Sequence, residues 1–317
     1  MKALPRHAYG LFARSPLTFK YKDLVENGLL KIKEYESGEF EGYKVFKYTR
    51  KAFYKGLWTS DLLECRGLVV DHEDEIVIYP FTKVFNYGEQ GLEKKKTIID
   101  RDREVISVEK INGFMLAVSK LPDGTFLYSS TGTLDSDFVK MGREVVEDQC
   151  HDMDDLPYGM TFIFEICHET DPHIVEEKEG AYLIGARVNK LGSVLFTEKA
   201  LDDIASDIGA YRPSWKEYKR FSDAKKSADS SEREGVMIRS PFGSGHLCKI
   251  KSKHYLSKKF IMRGKAEKIW DGKVDEDYAE VVDLIKQAYT EDEWNDLDQM
   301  ARRLVFENAL EVLENEK

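Results

Sequence analysis

Lys249 and Lys251 stand two residues apart in the mostly apolar stretch Leu247-Cys248-Lys249-Ile250-Lys251. Two residues is the side-chain repeat of an extended strand, so both ammonium groups point to one face. Such a pair can grip a triphosphate and depress the pKa of a neighbouring amine. A third lysine, Lys110, opens Lys110-Ile111-Asn112-Gly113, directly before the apolar run Phe114 to Ser119. A lysine is a nucleophile only as the neutral amine, which requires a desolvated or cation-rich pocket to lower its pKa, so further cations should converge on it. Lys-x-x-Gly alone is weak, since it arises about once or twice by chance in a chain of this length. Taken by itself, the tetrapeptide is better read as an exposed lysine entering a β-turn with Gly113 left-handed.

Other charged residues interrupt apolar surroundings. Glu165 lies within Thr161-Phe162-Ile163-Phe164-Glu165-Ile166, where an unpartnered carboxylate would be costly to bury. Glu234 opens Gly235 to Arg239, in which Val236 and Ile238 alternate. Arg66 precedes Gly67 at the start of an apolar run, a place from which a guanidinium presents a bidentate fork to phosphate or carboxylate. Lys83 sits in Pro80-Phe81-Thr82-Lys83-Val84-Phe85-Asn86, and Tyr182 in Ala181-Tyr182-Leu183-Ile184-Gly185. Singly, each also fits a strand-edge cation, a rim carboxylate, a structural ion pair or a core aromatic. His168 and His173 follow the Glu165 run, but their spacing matches no common zinc motif, and they are read as ordinary loop residues.

These residues need short strands to hold them. Strand-like runs recur at Tyr43 to Tyr48, Gly67 to Asp71, Ile76 to Tyr79, Phe114 to Ser119, Thr125 to Ser129, Met160 to Ile166, Tyr182 to Val188, Ser193 to Phe196, Gly235 to Arg239 and Leu247 to Ile250. Alternation within them, and turns such as Pro122-Asp123-Gly124-Thr125, point to antiparallel sheets. Helical patterns occupy Asp135 to Asp148 and Thr197 to Ile208, and the polar stretch Asp223 to Arg233 reads as a mobile loop. After Tyr255 no strand is expected. Thr290 and Glu293 form a capping box ahead of Leu297, Ala301, Leu304 and Val305, so two or three packed helices should follow.

Charge divides unevenly. The 317 residues carry a formal net charge of −10, yet Asp271 to Lys317 alone holds 15 acids and 5 bases, and residues 1 to 270 balance at 43 of each. Cys248 to Lys265 holds Lys249, Lys251, Lys253, Lys258, Lys259, Arg263 and Lys265 with no acid, which suits a surface facing phosphates or a solvated helix face. No stretch approaches the roughly 20 apolar residues of a membrane span, and Met1 to Phe12 lacks the apolar run of a signal peptide. Cys65, Cys150, Cys167 and Cys248 are scattered without a C-x-x-C pair. That argues against a disulfide framework and a structural zinc site, and for reduced thiols in a cytoplasmic protein.

In order along the chain, Glu64-Cys65-Arg66-Gly67-Leu68-Val69-Val70, the Pro80 to Asn86 element, Lys110 to Gly113, Thr161 to Ile166, Glu234-Gly235-Val236-Met237-Ile238 and Lys249-Ile250-Lys251 resemble the covalent nucleotidyltransferase superfamily of polynucleotide ligases and mRNA capping enzymes. The C-R-G and P-x-x-K-x-F-N elements are most similar to the RNA ligase 1 family of T-even phages, and the likeness covers about Tyr43 to Tyr255. The resemblance implies an α+β fold. Residues 1–254 would form an ATP-grasp-like adenylation (nucleotidyltransferase) domain of antiparallel sheets flanked by helices, and 255–317 a small all-α domain.

By the same resemblance, Lys110 carries AMP, with Lys249, Lys251, Arg66 and Glu234 as the other catalytic residues. Glu109, Ile111, Gly113, Lys83, Glu165, Tyr182 and Val236 join them around the nucleotide, Glu165 at the ribose and Tyr182 against adenine. Arg66 and Lys83 act on the ATP phosphates and the RNA 5′-phosphate, and Glu234 and Glu165 hold a metal, directly or through water. The implied cofactors are ATP and Mg²⁺, with Mn²⁺ able to substitute. The implied partner is single-stranded RNA with 5′-phosphate and 3′-hydroxyl ends, joined through lysyl-AMP and adenylated RNA by a monomer in RNA or tRNA repair, in a host cytoplasm if the chain is viral. Two departures stand out: Ser130-Thr131-Gly132-Thr133 replaces the family's S-K-G-S, and the tail is short. DNA ligases and capping enzymes share the lysine chemistry but place an OB-fold after the K-x-K strand; an inactive RNA-binding relative would have no need of all the charged residues together.

Overall fold

The computed structural model describes residues 16–89, 99, 101–171, 173–242, 245–271 and 278–315. A first antiparallel sheet is formed in chain order by β1 (Leu30–Glu34), β2 (Lys44–Tyr48), β3 (Arg66–Val70) and β4 (Ile76–Ile78). The remaining strands are β5 (Val105–Glu109), β6 (Phe114–Lys120), β7 (Phe126–Ser129), β8 (Met160–Cys167), β9 (Gly180–Val188), β10 (Trp215–Tyr218), β11 (Gly235–Arg239) and β12 (His246–Lys251). They build two further antiparallel sheets, ordered β10-β5-β11-β12 and β7-β6-β8-β9.

Alternating sets of side chains are buried on the sheets, on both faces in the third. Leu116, Val118, Phe162, Phe164 and Leu183 of the third sheet meet Val139 and Val146 of the helix Asp137–Gln149 and Leu201, Ala205 and Ile208 of the helix Glu198–Ile208. Ser136 and Thr197 cap these helices by accepting from Val139 and Ala200 N–H groups. The opposite face of that sheet offers Ala117 and Leu127 to Val45, Val69 and Ile78 of the first sheet, with Leu134 beside them. Because β5 belongs to the second sheet and β6 to the third, Lys110 to Gly113 is the crossing between them.

Nine of the ten expected strand runs coincide with strands within two residues at their ends; Ser193 to Phe196 is instead irregular, with Ser193 tied to the Arg187 guanidinium. β1, β5 and β10 were not expected, and each is only four or five residues long. The stretch expected to be a mobile loop, Asp223 to Arg233, is mostly the helix Phe221–Asp229. Phe221, Ala224 and Ala228 recur at helical spacing and pack on Val105, Ile238 and Ile250 of the second sheet. The tail is more divided than two or three helices. Described helices run over Lys253–Arg263, Ala266–Trp270, Ala279–Ala288, Glu291–Asp296 and Gln299–Asn315, around Trp294 and Phe306. The Thr290–Glu293 capping box is present. All four cysteines are buried and none is in a disulfide, and no described helix is long and apolar enough to cross a membrane.

Candidate active site

Lys110 is placed by backbone pairing: its N–H donates to the Gly235 carbonyl at 2.9 Å, continuing the β5–β11 ladder by one residue. That pairing brings Glu234, just before β11, under the lysine side chain. Lys110 Nζ donates to Glu234 Oε2 at 2.7 Å, Asn112 Nδ2 to the same oxygen at 2.9 Å, and Lys251 Nζ pairs with Oε1 at 3.0 Å. Glu165, from β8, accepts from the Gly113 N–H at 3.2 Å. Gly113 is not left-handed; its constraint is proximity, since a Cβ there would stand 2.2 Å from the Ile166 carbonyl oxygen and 3.0 Å from Glu165 Cγ. Gly113→Ala must push β6 from β8, so we expect a loss of about 3 kcal/mol or more in chemical denaturation.

Glu234 is 2% exposed. Burial penalises its charge, but Lys110 and Lys251 outweigh that and hold its pKa below the ordinary carboxylate range. Burial pushes Glu165 up, only partly relieved by Lys110. For Lys110 itself the expectation of a depressed pKa is corrected. Burial works against its ammonium, yet Glu165 and Glu234 together prevail and hold the pKa above the usual lysine value. In the absence of ligand, carboxylates as well as cations converge on Lys110, and they win.

The depressed amine is Lys249, brought down to about 8 by burial and then by Lys83, Lys251 and Lys110. Its N–H donates to the Phe85 carbonyl, which ties the Pro80 to Asn86 segment to β12. Lys83, 6% exposed, sits with Nζ 4.5 Å from the Phe85 ring centroid, 5.5 Å from Phe53 and 5.6 Å from Trp58, its pKa lowered chiefly by burial. Arg66 reaches in from β3 and donates to Met115 Sδ at 3.3 Å. None of these three cations has a carboxylate within ion-pair distance among the described residues, an arrangement that favours an incoming polyanion. Because anion binding favours charged Lys249, pyrophosphate affinity should fall as pH rises through about 8, and binding there should take up protons. Calorimetry in two buffers of different ionisation enthalpy measures that uptake, which should disappear in Lys249→Met.

Arg66, Lys83, Lys110, Gly113, Glu165, Glu234, Lys249 and Lys251 line one cleft of about 400 Å³, together with Glu109 and Ile111. Two expected site residues do not reach it. Tyr182 is packed under Ile111 and beside Tyr211, with its hydroxyl donating to the Lys178 carbonyl, so it is core. Val236 points into the core of the second sheet, and strand alternation turns Met237 to the cleft instead. The sequence reading also missed Ile184, Pro213 and His246 on the lining; Met237 alone had a signal, the alternation already used for its neighbours. The basic run after Cys248 is not one surface, because Lys258 is buried in a 2.6 Å ion pair with Glu307 of the tail. His168 is exposed against Thr170, and His173 is held below its usual pKa by burial.

A family model described as RNA ligase, of the T4 RNA ligase 1 type, matches residues 64–278. The chain belongs to the T4 RNA ligase 1 family. The matched span of this RNA ligase contains Arg66, Lys83, Lys110, Glu165, Glu234, Lys249 and Lys251. Its fold is similar to that of an archaeal ATP-dependent RNA ligase, in its forms 1 and 2, at 14% identity and a TM-score of 0.54 in each. The similarity covers 92% and 95% of the chain, and 76% and 80% of the archaeal one. A putative ATP-dependent DNA ligase from Aquifex aeolicus is comparably similar, at 13% identity and a TM-score of 0.55, over 92% of this chain and 78% of that one. The shared fold thus does not separate RNA from DNA ligases. No curated protein sequence shows significant similarity to the chain.

Among the described residues, no cluster of three or more His, Cys, Asp or Glu side chains could hold a metal. Of the glutamates lining the ligase's cleft (Glu109, Glu165, Glu198 and Glu234), Glu165 and Glu234 are the two that act on Lys110, and both oxygens of Glu234 already have ammonium partners. That donor set fits Mg²⁺, which keeps several waters and needs only one or two carboxylates when phosphates supply the rest. Two carboxylates suit hard cations such as Mg²⁺ and Mn²⁺ and not a zinc or copper centre.

Proposed function

We infer that the protein is an ATP-dependent RNA ligase that stores AMP on Lys110 and seals a 5′-phosphate to a 3′-hydroxyl in RNA repair. The observation that carries this reading is the shared carboxylate: Lys110 and Lys251 grip opposite oxygens of Glu234, while Lys249, Lys83 and Arg66 face the same cleft with no carboxylate in ion-pair distance among the described residues. In this reading residues 1–254 form the adenylation domain. Residues 255–317 form a helical domain, the division falling in the helix that Ser252 caps.

Val108, Ile184, Pro213 and Met237 give the cleft apolar walls for a base. Glu165 is placed to reach a ribose, and the cations to hold the phosphates. Mg²⁺, held by Glu165 and Glu234 directly or through water, would supply positive charge against the phosphates. Lys110 gives up its proton to solvent, and its amine attacks the α-phosphorus of ATP. The N–P bond forms as the P–O bond to pyrophosphate breaks, with Lys249, Lys251 and Lys83 stabilising the departing charge. AMP next passes to the RNA 5′-phosphate, and the 3′-hydroxyl finally displaces AMP. Positioning and charge stabilisation supply most of the rate.

A DNA-joining reading is kept open by the fold shared with a putative DNA ligase. The test is incubation with α-labelled ATP or GTP and Mg²⁺, followed by 5′-phosphorylated single-stranded RNA or DNA. The ligase reading requires label from ATP that is acid-labile and alkali-stable, then closure of RNA. Label from GTP alone would indicate capping, closure of DNA alone a DNA ligase, and no label from either nucleotide would end the enzyme reading.

A further inference from the structure

Outside the cleft, the first sheet carries a row of cations. Lys31 on β1 stands opposite Lys47 on β2, and Lys47 opposite Arg66 on β3, so the three side chains share a face. Like charges directly opposite one another destabilise a sheet, yet no carboxylate neutralises any of the three among the described residues. Lys33, next on that face of β1, shows the contrast, since it is paired with Asp135 at 2.6 Å. Burial, then Arg66, Arg50 and Lys31, hold the Lys47 ammonium below the usual lysine range. The row begins in the cleft, which Arg66 lines, and ends at β1, the edge strand, with adjacent strands about 4.8 Å apart.

Backbone geometry keeps the row open. Gly67, with φ +91°, forms the irregularity that sets Arg66 opposite Lys47, and a Cβ there would stand 3.1 Å from both the Ser130 oxygen and the Thr131 Cα. Residue 132 is glycine where a Cβ would meet Lys47 Nζ at 2.8 Å. Beyond Lys47 the chain turns into the helix Arg50–Lys55, which has three bases and no acid and exposes Phe53 (44%) and Tyr54 (79%). Phe53 also lines the cleft. Unpaired cations beside exposed aromatic rings are the two components of a single-strand platform, one for phosphates and one for base stacking.

We propose that Lys31 and Lys47, leading outward from Arg66, bind backbone phosphates of the single-stranded RNA whose 5′ end enters the cleft, and that Tyr54 stacks on one of its bases. The proposal rests on the ligase reading for the direction of the strand but not for the binding itself.

The experiment measures affinity of the full chain for a short 5′-phosphorylated single-stranded RNA by fluorescence anisotropy across a series of KCl concentrations. Removing a cation that neutralises one phosphate of a single strand lowers the salt slope by about 0.7, so the Lys31→Ala/Lys47→Ala double variant should lose about 1.4 in slope, and it should bind at least about tenfold more weakly at low salt. Lys31→Arg/Lys47→Arg should keep the slope, and Lys33→Ala should leave both quantities unchanged. Tyr54→Ala should weaken binding about fivefold or more without changing the slope. An unchanged slope in the double variant, or equal effects from Lys33→Ala, overturns the proposal. If the double variant keeps its RNA slope but needs more ATP to label Lys110, the row serves the triphosphate and the RNA assignment is wrong. A chain that binds RNA as described yet takes no label from ATP would instead sink the ligase reading and leave the row standing.

Discussion

Lys110→Ala should take no label from α-labelled ATP, a fall of at least about 10⁴-fold in adenylation, the scale seen when a nucleophile is removed. Lys110→Arg should be equally inactive. A guanidinium keeps the charge that Glu234 and Glu165 favour, so the fold survives, but it does not deprotonate in proteins and offers no neutral nitrogen. Pairing these variants separates chemistry from architecture: Arg should retain the melting temperature and lose the label, whereas Ala loses both the label and a partner of a buried carboxylate. The raised pKa of Lys110 also fixes a pH dependence. The reactive form is the deprotonated minority, so single-turnover adenylation should rise with pH wherever Lys110 deprotonation limits the rate. A rate that falls with pH from neutrality, or label retained in Lys110→Arg, would place the nucleophile elsewhere.

What the sequence disclosed about this site depended on periodicity and on charge out of place. Lys249 and Lys251 were legible because a two-residue repeat in an apolar strand has one geometric meaning. Glu165 was legible because a carboxylate amid β8 side chains needs a partner. The same rule was misapplied at β11, where Val236 and Ile238 face the core of the second sheet and Met237 therefore faces the cleft. Tyr182 failed for another reason. It lies on the side of β9 away from the helices, with Ile184, but Ile111 covers it and Tyr211 packs against it, a tertiary fact absent from local pattern. The strands β1 and β10 were hidden by lysines and glutamates, which have low strand propensity and sit there because their neighbours pair with them. The sign of the Lys110 shift was likewise out of reach, since it depends on two carboxylates contributed by segments 55 and 124 residues away.

Glu234→Gln should be more damaging to stability than the same exchange at Glu165, the other carboxylate that acts on Lys110. The substitution keeps size and shape, but it removes the one negative charge that Lys110, Lys251 and Asn112 share. Its amide can accept through one oxygen only, and its NH₂ group must then face an ammonium. Breaking a buried pair leaves an uncompensated charge and costs about 3–5 kcal/mol. At roughly 2–4 °C per kcal/mol for a larger domain, the melting temperature should fall by about 6 °C or more. Glu165→Gln should cost less, because burial already disfavours its charged form. The pH dependence follows from the directions of the shifts. Glu234 is held below its ordinary value of 4.5, so its contribution is present above that pH and is lost as pH falls through the folded value. Lys110 is held above 10.5, so its contribution is complete below that pH and is lost as pH rises through the folded value. Between these limits wild type should show a stability plateau that Glu234→Gln lowers as a whole, whereas below pH 4.5 the two proteins should converge as wild-type Glu234 becomes protonated. A constant gap between the melting curves from about pH 3 to about pH 7 would show that Glu234 acts through its shape and not through the charge on which the cleft depends.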